Sequence, residues 1–256
     1  MAPEEKVVLV TGGAKRIGKA IALKMAVAGW NVAVHYRGSA DEAQETVNEI
    51  RAIGRRAILV QCDLSEEAAV RKLLPEVEAA LGKVRCLVNN ASLFNYDSTA
   101  DFTYACLDAH MHANLAAPVL LAQALHASVD EGETAVVINL LDQKLYNLNP
   151  DFLSYTLSKA ALHSATTMLA QALAPKVRVV GIAPGLTLIS HIQTPAEFDS
   201  AHALAPLGES SRPDEVASAV VFAADNRALT GSTILVDAGQ HLLGLPRDFS
   251  LINRNA

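Results

Sequence analysis

The chain has 256 residues, with 21 Lys and Arg against 27 Asp and Glu, a formal charge of −6, and 51% hydrophobic residues. That length can bury the core of one large α/β domain or two small ones, while the acidic balance and the lack of a basic run of five or more exclude a nucleic-acid or anionic-membrane surface as the main partner. No uncharged apolar stretch of about 18 residues occurs, and the start Met-Ala-Pro-Glu-Glu-Lys has no apolar h-region, so the expectation is a cytoplasmic protein.

The first apolar run, Val7 to Val10, predicts a strand, followed by Thr11-Gly12-Gly13-Ala14-Lys15-Arg16-Ile17-Gly18. Glycines there permit a tight turn and close approach of backbone to ligand, and a helix starting behind them offers its N-terminus to an anion. The spacing is not G-x-G-x-x-G. The strand before it and the helical pattern Ile17, Ile21, Met25, closed by Gly29, nonetheless favour a dinucleotide site over plain strand-to-helix chemistry.

A second strand, Val32 to His35, runs into Tyr36-Arg37-Gly38-Ser39. An NAD-specific site would put a carboxylate there for the ribose 2′-hydroxyl. Arg37 and Ser39 instead suit a 2′-phosphate, so NADPH is the expected cofactor. His35 reads as a packing or locally hydrogen-bonded residue. A third strand, Ala57 to Gln61, leads to Asp63, which either meets the adenine edge or caps a helix beginning near Glu66. Cys62, Cys86 and Cys106 lack metal-like spacing and form an odd set, which predicts buried reduced thiols and no metal site.

Further strands are predicted at Cys86 to Asn89, Ala135 to Leu140, Val177 to Ile182 and Thr233 to Val236. Helices are predicted over Val119 to Val129, where Pro118 marks a first turn or a kink, and over Asp151 to Ala174. Seven nearly continuous apolar strands alternating with helices predict a doubly wound parallel sheet with helices on both faces, in a single α/β domain covering 1–256. The weakly patterned segment 187–211, with Pro195 and Pro206, reads as a lid over a site or as a surface excursion.

Tyr155 and Lys159 are four apart and share a helix face. A phenol with a pKa near 10 exchanges protons poorly at neutral pH, and a neighbouring ammonium would bring it into range. Asp142 follows the strand ending at Leu140, and Asn114 interrupts an apolar helix. Polar residues at the carboxyl ends of strands are where open α/β sheets place ligands.

In chain order, the Gly-rich turn, Asp63, Asn89-Asn90-Ala91, Asn114, Tyr155 with Lys159, Pro184-Gly185, and Thr230-Gly231 with Val236-Asp237-Ala238-Gly239 resemble the short-chain dehydrogenases/reductases over essentially the whole chain. The resemblance implies a Rossmann fold and hydride transfer between nicotinamide and substrate. Tyr155 would be the proton donor, Lys159 would hold the ribose and lower the tyrosine pKa, and Asn114 would support a water relay. It further implies cofactor contacts from Gly12, Arg16, Ile17, Gly18, Tyr36, Arg37, Ser39, Asp63, Asn90, Ala91, Ser92, Tyr155, Lys159, Pro184 and Gly185.

Two departures narrow the resemblance. Arg16 stands where most members carry glycine, and Asp142 where most carry serine. With Ser92 and Phe94 these are similar to the pteridine reductase branch, which includes dihydromonapterin and dihydrofolate reductases. There the matching arginine and serine reach cofactor phosphate and pterin, and the phenylalanine stacks the pterin on the nicotinamide. The implied substrate residues are Arg16, Ser92, Phe94, Asp142 and Tyr155. An ionised Asp142 would repel a ketone oxygen, whereas a pterin offers donors and a ring nitrogen that must gain a proton. No basic clamp for a glutamate tail follows Pro184-Gly185-Leu186. The competing readings are a carbonyl reductase of the 3-oxoacyl thioester type and an NADP(H)-sensing module without turnover, against which the intact Tyr155, Lys159 and Asn114 stand. The family also implies a homotetramer, or a dimer, built on helices around Asn114 to Val129 and Tyr155 to Ala174, the second rich in alanine and suited to close approach. The tail His241 to Ala256, with Leu242, Leu243 and Leu245, is suited to covering a neighbour's site.

Overall fold

The computed structural model describes residues 6–190 and 192–252. The N-terminal segment 1–5, His191 in the expected lid and the end of the apolar tail lie outside the described residues. Along the chain run β1 (Val7–Val10), α1 (Arg16–Val27), β2 (Asn31–Tyr36), α2 (Ala40–Ala52), β3 (Ala57–Gln61), α3 (Glu67–Leu81), β4 (Val84–Asn89), α4 (Tyr104–Met111), α5 (Ala117–Ser128), β5 (Ala135–Leu140), α6 (Leu153–Leu173), β6 (Val177–Pro184), α7 (Pro195–His202), α8 (Pro213–Asp225) and β7 (Thr233–Val236). Seven strands pair in parallel in the order β3-β2-β1-β4-β5-β6-β7. This is the expected doubly wound sheet, a Rossmann-like single-domain fold.

Alternation along β1 explains the two layers. Val8 and Val10 join the core beneath α1, α2 and α8, while Val7 and Leu9 point the other way into the core beneath α3 and α5. Successive side chains of a strand face opposite sides of the sheet, so a strand buried on both faces must be apolar at every position. The strand order reverses between β1 and β4, and Val10 pairs with both Val34 and Val88. The loops after β1, β2 and β4 therefore leave the sheet side by side, at the switch point where such sheets open a crevice.

Local chemistry sets the boundaries. Gly29, at φ +98°, closes α1, and its N–H donates to Ala26 O at 3.0 Å. Pro118 lies in the first turn of α5 and does not kink it. Residues 112–116 form a π turn that links α4 to α5 and holds Asn114. Such turns arise where one extra residue is inserted into a helix, and they often mark functional positions. α6 begins later than the expected Asp151 because Phe152 takes a left-handed φ of +55°, and Asp97 caps the helix there, its Oδ1 accepting from Ser154 N at 2.9 Å.

Two expectations need correction. Cys62 and Cys86 are buried, but Cys106 on α4 is only half-buried. The segment 187–211 is not uniformly irregular. α7 interrupts it, closed by a capping box in which Thr194 Oγ1 accepts from Glu197 N and Glu197 Oε2 accepts from Thr194 N. The tail folds onto its own chain: Phe249 and Leu251 are buried, and Leu251 clusters with Phe152 and Tyr155. Among the described residues no helix is long and apolar enough to cross a membrane.

Candidate active site

The crevice is a cleft of about 480 Å³ at the carboxyl ends of β1, β2, β3 and β4. It brings together Gly12, Arg16, Ile17, Gly18, Tyr36, Arg37, Ser39, Asp63, Asn90, Ala91 and Ser92, eleven of the residues expected at the cofactor. Gly18 has no room for a side chain: a Cβ there would sit 2.0 Å from Gly12 O and 2.6 Å from Asn90 Nδ2. Asn90 Nδ2 donates to Thr11 O at 2.9 Å and to Gly12 O at 3.2 Å, bracing the turn from the β4 side. His35 braces it from beneath. Its Nδ1 accepts from Gly12 N at 3.0 Å, and Nε2 faces Cys62 O at 3.0 Å, which fixes a neutral ring with the proton on Nε2. Burial lowers the His35 pKa, in keeping with that state.

Arg16 adopts a left-handed φ of +56°, a conformation that is unfavourable by about 1 kcal/mol or more for a residue with a side chain. Its Nη2 donates to Ile189 O at 2.9 Å, joining the glycine turn to the 187–211 segment. Asp63 lines the cleft, and its Oδ1 accepts from Ser65 N at 2.9 Å and Ser65 Oγ at 2.8 Å, bonds that lower its pKa. The N-cap of α3 is Glu66, not Asp63. Pro184 and Gly185 stand apart from the cleft. Gly185 is packed so closely that a Cβ would meet Gln240 Oε1 at 2.4 Å, which explains the glycine by packing.

In the second group Tyr155, Lys159 and Asn114 are buried, and Asp142 and Phe94 half-buried. Tyr155 and Lys159 share one face of α6. Tyr155 OH donates to Asp142 Oδ2 at 2.7 Å, while Asp142 Oδ1 accepts from Lys144 N at 2.8 Å. Lys159 Nζ donates to Leu140 O at 2.7 Å. Phe94 stacks on Phe152 with centroids 4.2 Å apart and meets Tyr155 edge-on at 4.7 Å, so the loop after β4 and the start of α6 form one aromatic wall. Asn114 Nδ2 donates to Ser158 Oγ at 2.9 Å and to Leu93 O at 3.0 Å, and its Oδ1 accepts from Leu93 N at 2.7 Å. Its side chain is thus a tether between the 92–94 loop and α6.

Electrostatics alter one expectation. Lys159 does not pull the Tyr155 phenol down: burial pushes that phenol well above its ordinary value, and the Asp142 carboxylate pushes it further. The physical reason is geometric, since Asp142 and not Lys159 holds the hydroxyl. Desolvation also raises the Asp142 carboxyl, against the lowering effect of its bonds from Lys144 N and Tyr155. Lys159 is lowered to about 8 by burial. Tyr155 and Asp142 thus form a hydrogen-bonded pair in which the phenol stays protonated and the carboxyl has a proton affinity above the ordinary one.

Sequence reasoning missed the supports of this group. Asp97 positions the start of α6, and Lys144, two residues beyond Asp142, is fully buried and bonded to Asp248 at 2.9 Å across 104 residues of chain. A lysine two residues from a candidate acid carries some signal, but nothing local pairs it with the tail.

The chain is similar to known proteins over most of its length. The short chain dehydrogenase model matches residues 6–199. A crystal structure of FolM alternative dihydrofolate reductase 1 from Brucella canis, complexed with NADP, is 42% identical with a TM-score of 0.87, over 93% of this chain and 95% of that one. A short chain dehydrogenase from Burkholderia cenocepacia in complex with NADP is 32% identical with a TM-score of 0.85, over 91% of this chain and 97% of that one. The 3-oxoacyl-[acyl-carrier-protein] reductase FabG of Staphylococcus epidermidis is 30% identical over 243 residues, 93% of this chain and 99% of the relative. With a seven-stranded parallel sheet, a Gly-rich turn at its switch point and a tyrosine and lysine on one helix face, the chain belongs to the short chain dehydrogenase family.

Proposed function

We propose that this oxidoreductase reduces a dihydropterin or dihydrofolate with NADPH. The observation that carries the reading is the half-buried Asp142 carboxyl in a 2.7 Å bond with Tyr155 OH. The similarity to the NADP-complexed FolM of Brucella canis supports both the substrate class and the cofactor.

The cleft suits the cofactor. The steric demand for glycine at position 18 leaves the turn's backbone open to a pyrophosphate, and Arg37 and Ser39 beside the end of β2 offer a guanidinium and a hydroxyl for a 2′-phosphate. In this reading Gly12, Ile17, Tyr36, Asp63, Asn90, Ala91, Pro184 and Gly185 complete the cofactor set, and Lys159 holds the ribose. Bound NADPH supplies a hydride.

The chain's own groups supply the proton. A ring nitrogen of the substrate must be protonated as the adjacent carbon is reduced. Asp142 in its protonated form is a donor, and its raised pKa keeps that form available closer to neutral pH than for an ordinary carboxyl. Tyr155 remains a phenol and orients Asp142 through its hydroxyl. Phe94 and the planar guanidinium of Arg16 offer flat surfaces to a heteroaromatic ring, with Ser92 at its edge. The 187–211 segment is the cover over this substrate, supported by the bond from Arg16 to Ile189 O, and the assembly is a homotetramer, tested by the solution mass.

The test follows NADPH oxidation with dihydrobiopterin, dihydromonapterin, dihydrofolate and a 3-oxoacyl thioester in parallel, each repeated with NADH. Turnover confined to the pterins and folate with NADPH is expected. Turnover of the thioester alone overturns the reading and favours the carbonyl reductase alternative, to which the FabG similarity points.

A further inference from the structure

The residue after next from Asp142 presents an unusual combination. Lys144 is 2% exposed, and its ammonium donates to Asp151 O at 2.5 Å and to Asp248 Oδ2 at 2.9 Å. A lysine is rarely buried this deeply unless a partner and hydrogen bonds compensate its desolvation, and here one of the compensating groups comes from the C-terminal segment. The backbone N–H of the same lysine holds Asp142 Oδ1 at 2.8 Å.

The segment carrying Asp248 is pinned at several points. Arg247 Nε and Asp248 N both donate to Asp151 Oδ2 at 2.8 Å, and Asp248 Oδ1 accepts from Ser250 N at 2.9 Å and Ser250 Oγ at 2.6 Å. Three residues beyond Asp248, Leu251 is buried against Phe152 and Tyr155. The tail therefore reaches the Asp142–Tyr155 pair from two sides, through Lys144 on one and through the aromatic wall on the other.

We propose that Lys144 and Asp248 are a positioning pair through which the C-terminal segment holds Asp142 against Tyr155 and sets the proton affinity of its carboxyl. The inference rests on Asp142 being the proton donor of the proposed reaction. Neither residue touches the reacting atoms. Lys144 fixes the turn that presents Asp142, and Asp248 fixes Lys144 while balancing its charge.

The charged and titratable groups facing Asp142 are Tyr155 and Lys159 from α6, Lys144 from its own turn and Asp248 from the tail. Among these, Lys144 favours the ionised carboxyl and Asp248 the protonated one. Removing either charge while keeping the other must move the Asp142 titration in opposite directions. A purely structural role, in which the pair only secures the tail, predicts no such opposition.

The experiment titrates the Asp142 carboxyl by NMR in full-length protein carrying 13C-labelled aspartate, its signal assigned by its loss in Asp142→Asn. Asp248→Asn is expected to lower the Asp142 pKa by about one pH unit and Lys144→Gln to raise it by a similar amount. Arg247→Gln, at a site about one-quarter exposed, loosens the same segment without leaving a buried lysine unpaired; because it frees Asp248 while also removing a cation, it is expected to move the titration by less than Asp248→Asn does. It keeps the test open where a buried variant fails to fold. In dihydropterin turnover each variant should lower kcat about tenfold or less, with KM for NADPH unchanged. A titration unmoved in Asp248→Asn and Arg247→Gln, or shifts of the same sign for Lys144→Gln and Asp248→Asn, overturns the proposal. Because the NMR readout needs no substrate, a wild-type protein inactive on pterins would defeat the proposed substrate while leaving this test intact.

Discussion

The two ends of the crevice are built on opposite principles. At the nucleotide end, backbone and small residues do the shaping: Gly12, Gly18 and Asn90 fix an open turn, and the side chains offered to a ligand, Arg37 and Ser39, stand at or near the surface. At the chemical end, the buried side chains of Tyr155, Lys159 and Lys144 and the half-buried Asp142 are bonded to one another or to backbone. Recognition of a charged, flexible phosphate tolerates water. Raising the proton affinity of a carboxyl does not, because in water the carboxyl would return to its ordinary affinity. The contrast predicts that damage at one end leaves the other nearly intact.

The largest expected effect tests the chemical end. Asp142→Ser should lower kcat for dihydropterin reduction by about 100-fold or more, with the dissociation constant of NADPH, followed by nucleotide fluorescence, unchanged. Unaltered turnover would remove the proton-donor role and the contrast with it. Next comes the nucleotide end: Arg37→Gln should raise KM for NADPH about 10- to 100-fold, the equivalent of one charge-assisted bond, while KM for NADH and the rate at saturating cofactor hold. Equal losses for both cofactors would show that Arg37 does not read the 2′-phosphate.

A smaller effect falls on the shared scaffold. Gly18→Ala forces a Cβ onto Gly12 O, a backbone atom that cannot step aside cheaply. It should cost about 1–3 kcal/mol of stability, or about 2–10 °C in Tm by calorimetry, together with loss of cofactor binding.

The smallest effect is a pH dependence of the nucleotide end. His35 has a folded pKa below its unfolded value, so its contribution to stability is fully present above about pH 6.5 and is lost as pH falls toward the folded pKa. Protonated Nδ1 could no longer accept from Gly12 N. Tm should therefore decline between pH 7.5 and 5.5, and His35→Gln should flatten that slope. An identical slope in the variant would assign the acid sensitivity to other groups.

Much of the nucleotide end was legible because it is local. The turn, Arg37, Ser39 and Asn90 sit at strand ends that the apolar runs mark, and all of them meet in the cleft. Asp142, Tyr155 and Lys159 could be named for the same reason, from a strand end and a helix face. Their mutual electrostatics could not be. The expected lowering of Tyr155 by Lys159 assumed that nearness along a helix means contact at the hydroxyl, whereas the hydroxyl turns to Asp142. The cap of α6 by Asp97 and the α7 helix inside the expected lid also escaped, the first because its partners are 57 residues apart and the second because eight residues carry too little periodicity.

By itself the sequence determined the strands, their parallel order of layers, the glycine turn and the placing of Asp142, Tyr155 and Lys159 at a strand end and on a helix face, because each follows from short-range rules of burial period and backbone freedom. Only the tertiary structure decided which of those groups bond to one another and what holds them. Lys144 meets Asp248, and Leu251 meets Tyr155, only after the tail has packed back on the sheet. Proton affinity in a buried site depends on charges and donors a few ångströms away in space, and such neighbours leave no mark on the spacing of residues along the chain.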